Sequence, residues 1–159
     1  MMFLVSGLLA SPCAAPALPA QALTLGIEVH GHTLAGTAIV AAEGGTWSLT
    51  LLSPGGLGLF TLSGPPQVVQ TGLDSWRPWL EKLPVERDLM LAFTPVPPEG
   101  CTIGTGKIRV DRQGGRHWRG PGGPAHLQQE ANTLTLVDRL RGYTLLLVVL
   151  PQEDPSLAP

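Results

Sequence analysis

From Leu23 onward, apolar residues alternate with polar or small residues in short segments that glycine-rich turns separate. Trp47, Leu49 and Leu51 show this spacing of two, which is typical of strands that bury one face. Segment 143–150 is instead apolar on both faces, which predicts a central or doubly covered strand. Strands are predicted at 23–29, 33–42, 47–51, 57–62, 67–71, 107–112, 116–119, 125–130, 133–137 and 143–150.

One segment departs from the period of two. After Asp74-Ser75, either of which can cap a helix, apolar residues follow the spacing of an amphipathic helix: Trp76, Trp79, Leu80 and Leu83. Pro84 ends this helix or begins a second one, and residues 85–93 fit either a helix or a strand. The pattern predicts a mainly β, α+β fold with nine or ten antiparallel strands. A sheet of that length must curl, and the helical segment can plug its concave side.

The chain is predicted to have three parts. Residues 1–22 carry no charge, and an apolar run at 3–10 is followed by alanines in Ala-x-Ala spacing. This is the outline of a secretory signal that is cleaved, with a disordered Ala/Pro-rich leader as the alternative. Residues 23–150 form a single domain, and 151–159 form a flexible tail.

Cys13 has two interpretations. It follows Leu9-Ala10-Ser11-Pro12, which resembles a lipoprotein processing site where the cysteine is acylated. The alternative is a disulfide with Cys101, the other cysteine of the chain, which an exported compartment would allow.

Composition narrows the classes of function. The net charge of −2 gives no global attraction to nucleic acid, so no nucleic-acid partner is expected. No apolar run reaches the roughly 18 residues of a membrane span, which excludes a multi-pass membrane protein. A hydrophobic content of 43% argues against intrinsic disorder.

One charge asymmetry stands out. Basic residues cluster in the predicted 107–119 hairpin, with Trp118 among them. This hairpin is a candidate surface for a phosphate-bearing or protein partner, and the alternative is a solvated outer face. The candidate partner-binding residues are Lys107, Arg109, Arg116 and Arg119.

The remaining candidate chemistry is weak. His30 and His32 could begin a metal site, but no third ligand stands nearby and His117 and His126 are remote in sequence. No nucleophile elbow is present, and segment 104–107 fits a hairpin turn better than a phosphate loop. Arg87 beside Glu86 and Asp88 indicates an exposed charged patch. We therefore predict no catalytic residue, no cofactor and no metal.

Four short segments carry a family resemblance: 47–56 (WSLTLLSPGG), 59–62 (LFTL), Arg87-Asp88-Leu89 after Pro84, and Tyr143-Thr144-Leu145. Residues 45–150 resemble the LolA/LolB-like carriers and receptors of bacterial envelope lipoproteins, and related outer-membrane lipoproteins of unknown function. The resemblance implies a strongly curved antiparallel sheet that forms an unclosed β-barrel under a helical lid. It also implies an apolar inner face that binds acyl chains.

Function follows from this resemblance as an expectation. The chain is expected to be a non-enzymatic protein of the bacterial cell envelope, in the periplasm or at the periplasmic face of the outer membrane, peripheral or lipid-anchored. It would bind acyl chains of a lipid or lipoprotein. The residues placed at the cavity, with simple core packing as the alternative for each, are Trp47, Leu49, Leu51, Phe60, Trp76, Trp79, Leu80 and Phe93.

Two other functions stay open. The chain could be a structural or assembly component of the envelope that docks a protein partner through a sheet edge or the 107–119 hairpin. It could also be a hydrolase whose site is assembled only in space. The acyl-chain function predicts an apolar concavity between the sheet and the helix, and the structural function predicts a filled core.

Overall fold

The structure, a computed structural model, describes residues 11–18 and 22–149. The described residues form eleven strands and two short helices. The first meander is β1 (Leu23–Val29), β2 (His32–Glu43), β3 (Thr46–Leu52), β4 (Gly58–Gly64) and β5 (Val68–Thr71). The helices α1 (Arg77–Lys82) and α2 (Val85–Phe93) follow. The second meander is β6 (Cys101–Ile103), β7 (Gly106–Val110), β8 (Arg116–Arg119), β9 (Ala125–Glu130), β10 (Thr133–Asp138) and β11 (Tyr143–Val149).

All eleven strands belong to one antiparallel sheet, in the order β5-β4-β3-β2-β1-β11-β10-β9-β8-β7-β6. The two meanders join where β1 pairs with β11, in a register that runs from Leu23 opposite Val149 to Val29 opposite Tyr143. Strands β5 and β6 are the two edges, so the sheet is not closed. The prediction of a mainly β fold with one antiparallel sheet is confirmed.

Individual elements agree with the pattern to different degrees. β11 lies at the centre of the sheet, as its two apolar faces predict. Residues 85–93 are a helix rather than a strand. β6, of three residues, is an additional edge strand that the pattern does not predict, because so short a segment shows no period.

One face of the sheet carries the core. Along β1, Leu23, Leu25, Ile27 and Val29 are buried while Thr24 and Glu28 on the other face are exposed. The same alternation in β3, β4 and β10 continues this apolar face across the sheet. The hydrophobic effect therefore sets which face of each strand points inward.

Residues 11–18, which belong to the predicted leader, pack on the domain. Thr102 of β6 donates its N–H to the carbonyl of Ser11 (2.9 Å) and accepts from the N–H of Cys13 (2.8 Å). The N–H of Ala17 donates to the carbonyl of Phe93 at the end of α2. This segment thus covers the open edge of β6. The apolar run at 3–10 and the tail at 151–159 lie outside the described residues.

The segment is also held covalently. Cys13 and Cys101 form a disulfide, the second of the two interpretations of Cys13, with a Cα–Cα separation of 4.9 Å. A sulfur in a disulfide cannot also carry a thioether-linked lipid, so the prediction of acylation at Cys13 does not hold for this form of the chain. Among the described residues, no helix has the length and apolar character to cross a membrane.

Candidate functional site

A small void lies between the apolar face of the sheet and the helices. Its volume is about 30 Å³, above the roughly 10–15 Å³ that a cavity needs in order to hold one water molecule. Strands β1 to β4 and β11 form one side, and the α1–α2 segment forms the other. The lining is apolar apart from one carboxyl: Leu25, Ile27, Val40, Leu49, Leu62, Leu83, Val85, Asp88, Leu89, Phe93, Leu145 and Leu147.

The strand residues predicted at the cavity all belong to the core. Trp47, Leu49, Leu51 and Phe60 are buried, and Leu51 pairs directly with Phe60 across β3 and β4. Leu80 of α1 and Phe93 of α2 are buried as well. Among the eight predicted residues, only Leu49 and Phe93 line the void itself.

The two tryptophans of the predicted plug lie elsewhere. Trp76 and Trp79 border a separate cleft of about 150 Å³ with Val29, His32 and Ser75. Trp79 is 37% exposed and packs its ring against His30, with centroids 5.1 Å apart. Neither indole ring lines the void. On α1, Leu80 points into the core, whereas Trp76 and Trp79 lie at the end of β1.

Backbone carbonyls hold the helices to the sheet. Arg77 donates to the carbonyls of Val69 (3.3 Å) and Thr71 (2.9 Å), which ties the start of α1 to the edge strand β5. The side-chain amide of Gln67 donates to the carbonyl of Leu80. At the other end, Arg116 of β8 donates to the carbonyls of Leu91 and Thr94, which lie at the C-terminus of α2.

Arg116 therefore does not share a surface with the other basic residues of the hairpin. It points to the α2 side of the sheet, whereas Lys107, Arg109 and Arg119 are exposed on the opposite face. Trp118 also points inward, with 3% exposure, and its indole N–H donates to the carbonyl of Pro121. The interleaved aromatic expected on the outer surface is in fact part of the core.

A polar network crosses the core beside the void. Arg87 of α2 is 3% exposed and donates to both Oδ1 of Asp88 (Nη2, 2.8 Å) and Oδ2 of Asp138 (Nη2, 2.9 Å). The hydroxyl of Tyr143 accepts from Arg87 (2.7 Å) and donates to Oδ2 of Asp88 (2.6 Å). The prediction that Arg87 and Asp88 form an exposed patch is wrong, because partners from β10 and β11 pair and bury both charges.

The Arg87 guanidinium also binds the backbone of the 120–124 loop. Nη1 of Arg87 donates to the carbonyls of Gly122 (2.9 Å) and Gly123 (3.0 Å), and Arg141 also donates to the carbonyl of Gly122. Arg141 forms an ion pair with Asp138 (3.0 Å). Helix α2, the 120–124 loop and the β10–β11 turn are thus held by one set of charge-assisted hydrogen bonds.

Burial and pairing act on these groups in opposite directions. Burial raises the pKa of Asp88 to about 6, although Arg87 and Tyr143 both favour its ionised form. Burial alone would also raise the pKa of Asp138, but the N–H of Arg141 and the Arg87 guanidinium outweigh it and lower that pKa. The pKa of the Tyr143 hydroxyl is raised by burial and by the neighbouring Asp88 carboxylate.

A wide groove lies on the outer face of the sheet, over β7 to β10. Its volume is about 720 Å³, and Arg109, Arg119 and Arg139 are among its lining residues. Asp111, His117 and His126 line the same groove. We refer to Asp111, His117 and His126 as the Asp-His-His cluster.

The hairpin register assembles this cluster. His117 on β8 lies directly opposite His126 on β9, and their rings stack with centroids 4.3 Å apart. Oδ2 of Asp111 is 2.9 Å from Nε2 of His117 and 3.8 Å from Nε2 of His126. The ligand-type atoms of the three side chains lie within 4.8 Å of one another, close enough for the three side chains to converge on one metal ion. Sequence reasoning missed the cluster because only the strand register brings the two histidines together.

Backbone groups orient the aspartate. Oδ1 of Asp111 accepts from the N–H groups of Gln113 (2.9 Å) and Gly115 (2.8 Å), which leaves Oδ2 directed at the histidines. A hydrogen bond from His117 lowers the pKa of Asp111. Partial burial and electrostatic interactions with His117 and Arg139 lower the pKa of His126, although Asp111 acts to raise it, so the neutral form of His126 is favoured.

Comparison of the chain with protein-family models, with curated proteins and with solved structures found no match. The void and the Asp-His-His cluster therefore have to be interpreted from their own chemistry.

Proposed function

We propose that this chain is a non-enzymatic carrier or receptor of the bacterial cell envelope, which holds an acyl chain of a lipid or lipoprotein between its sheet and its helices. The observation that carries the proposal is the void. It is lined by apolar side chains from both the sheet and the α1–α2 segment, and Asp88 is the one ionisable group in its lining.

In this proposal the sheet acts as an unclosed β-barrel and the α1–α2 segment acts as its lid. A void of about 30 Å³ does not admit an acyl chain, so binding requires the helices to move away from the sheet. Leu89 and Phe93 face the void from α2, and their displacement would open the apolar surface of β1 to β4.

Two opposing contributions determine the energetics of this exchange of contacts. Each methylene removed from water contributes roughly 0.8 kcal/mol, so ten methylenes would contribute on the order of 8 kcal/mol before the lid is displaced. The lid residues lose contacts with the sheet at the same time. A carrier that binds and later releases its cargo needs these two quantities to be close to each other.

The disulfide supports the proposed location in the cell envelope. Disulfides persist in oxidising environments such as the bacterial periplasm and are rare in the cytosol. The Cys13–Cys101 bond and the resemblance to LolA/LolB-like proteins both favour the periplasm or the periplasmic face of the outer membrane. With Cys13 in a disulfide, we propose peripheral rather than lipid-anchored association with the membrane.

The test uses a fluorescent fatty acid, cis-parinaric acid, titrated into the full chain. The wild-type chain is expected to bind it saturably, with displacement by unlabelled phospholipid. In Leu89→Gln, a polar side chain borders the void at a half-buried position, and binding should weaken at least tenfold, which corresponds to about 1.4 kcal/mol. Leu140→Gln is the matched control, because Leu140 is 76% exposed and is not among the residues that line the void.

The proposal fails if the wild-type chain shows no saturable binding of the probe. It fails equally if Leu89→Gln and Leu140→Gln bind as the wild type does, because the void would then play no part. Native mass spectrometry of the protein purified from its membrane fraction adds an independent measurement, since a retained lipid appears as a mass adduct.

A second function is favoured by the outer face. Lys107, Arg109 and Arg119 are exposed together, which suits an acidic protein partner of the envelope. Both sheet edges are engaged, β5 by Arg77 and β6 by residues 11–13, so we place such docking on this basic face. Reversing the three charges would abolish cross-linking to that partner and leave fatty-acid binding unchanged.

A further inference from the structure

We propose that the Asp-His-His cluster is a binding site for a divalent transition-metal ion, and that zinc is the ion its donors fit best. This site is separate from the void, because it lies on the opposite face of the sheet. A test of zinc binding at the cluster is therefore independent of a test of acyl-chain binding at the void.

The donor set is appropriate for zinc. Two imidazole nitrogens and one carboxylate oxygen are a common combination of protein ligands for Zn²⁺, with the fourth position left to water or substrate. Two ligands of a tetrahedral zinc ion, each about 2.0–2.1 Å from it, lie about 3.3 Å apart. The separations of 2.9 and 3.8 Å from Asp111 to the two histidines bracket that value.

Neither histidine is committed elsewhere. Nε2 of His126 is buried and has no hydrogen-bond partner among the described residues. Its 3.8 Å separation from Asp111 is too long for a hydrogen bond, so the carboxylate does not satisfy it. A buried polar atom without a partner is rare in proteins, and an ion at this point would complete its coordination.

The carboxylate ligand is oriented before any ion binds, whereas the stacked imidazoles must turn to direct both Nε2 atoms at one ion. Two backbone N–H groups fix the carboxylate of Asp111, which is the kind of outer contact that orients metal ligands. Gly115 keeps the space clear, because a Cβ at this position would lie 2.5 Å from Oδ2 of Asp111 and 3.0 Å from Nε2 of His126. A larger residue would fill the position between the donors.

The charges that line the groove determine which kind of ligand would bind together with the metal ion. Arg109, Arg119 and Arg139 line it, so the surroundings are positively charged. These cations oppose a bare metal ion and favour an anion in the open coordination position. The site would therefore hold zinc together with a small anion such as carboxylate or phosphate, which the neighbouring guanidinium groups can bind.

The experiment is isothermal titration of ZnCl₂ into the tag-free, disulfide-bonded full chain, with Co²⁺ absorption as a report on geometry. One Zn²⁺ per chain is expected, and Co²⁺ should give the visible bands of a tetrahedral site. Removal of one ligand in His126→Ala should weaken binding by a factor of at least about ten. Asp111→Asn keeps an acceptor for the two turn N–H groups and should weaken binding similarly.

Two further variants distinguish a loss of zinc binding at the cluster from a loss caused by misfolding. Gly115→Ala keeps all three ligands but crowds them, so zinc binding should fall while the far-UV spectrum stays unchanged. His32→Ala removes an exposed histidine outside the cluster and should leave zinc binding as in the wild type. The proposal is overturned if the wild-type chain binds no zinc saturably, if His126→Ala binds it undiminished, or if His32→Ala loses it.

Discussion

The hydroxyl of Tyr143 donates a hydrogen bond to the carboxylate of Asp88 across 2.6 Å, and this contact joins β11 to α2 inside the core. The same oxygen accepts from Arg87, so one phenol connects both members of a buried ion pair. Each of these groups depends on the others, because a charge left without its partner in the core is strongly destabilising.

Tyr143→Phe tests this dependence. The substitution keeps the ring but leaves Asp88 and Arg87 each without one hydrogen bond, and we expect a loss of about 1–3 kcal/mol in the free energy of unfolding. Urea denaturation followed by tryptophan fluorescence measures it. Thr144→Val, at the next position of β11, changes a half-buried hydroxyl outside the network and should stay within about 0.5 kcal/mol of the wild type. Equal stabilities for Tyr143→Phe and the wild type would refute the role of the phenol.

The raised pKa of Asp88 predicts how stability depends on pH. In the unfolded chain this carboxyl titrates near its ordinary pKa of about 3.9. In the folded chain its pKa is about 6, so between these values the folded state binds the additional proton. Stability from this group is therefore greatest below pH 4 and is lost as the pH rises through 6, by up to about 3 kcal/mol.

Comparison with Asp88→Asn isolates that contribution. The lowered pKa of His126 acts in the opposite direction below pH 6.5, and it is common to both proteins. The stability of the wild type relative to Asp88→Asn should decrease between pH 4 and pH 7 in urea melts at fixed ionic strength. A difference that is constant over this range would show that Asp88 titrates normally in the fold.

The disulfide predicts both a stability and a labelling result. It connects residues 88 positions apart, and removing such a bond by Cys13→Ser with Cys101→Ser should lower the free energy of unfolding by about 2–5 kcal/mol. Without reductant, an alkylating reagent should label neither cysteine in the denatured chain. If Cys13 were acylated instead, Cys101 would be a free thiol and intact mass would show a single label.

Gly106 is predicted to be intolerant of a side chain. A Cβ there would lie 2.2 Å from the ring of Trp118, which is buried on the neighbouring strand β8. Gly106→Ala should destabilise the fold by about 1–3 kcal/mol because the core must shift to admit it. Gly58→Ala is the matched control, since Gly58 also lies in a strand and a Cβ there has no neighbour within 4 Å.

Local periodicity predicts the strands of this protein well, since burial on one face follows directly from alternation. Leu23, Leu49 and Leu136 all point inward as their spacing indicates. What the pattern does not reveal depends on distant partners. From the sequence alone, Arg87 and Asp88 resemble surface charges, because their partners Asp138 and Tyr143 are at least 50 positions away.

Prediction of the candidate sites from the sequence is limited in the same way, because their contacts also depend on distant residues. Hydrophobic spacing predicts that Trp79 and Leu80 share the inner face of a helix, but α1 has only six residues and turns Trp79 towards His30. His117 and His126 become neighbours only through the β8–β9 register, and Asp111 joins them through a turn held by the N–H of Gly115. Turn geometry and strand register decide these contacts, and neither is fixed by the period of apolar residues.

The pairing of β1 with β11 also affects how the chain is made. Translation produces Leu23–Val29 well before Tyr143–Val149, so β1 has one of its two neighbours missing while the first meander forms. Its unpaired N–H and carbonyl groups stay open to other chains until β11 has been synthesised. A nascent chain released before Tyr143 would therefore expose the middle of its sheet and would be expected to aggregate.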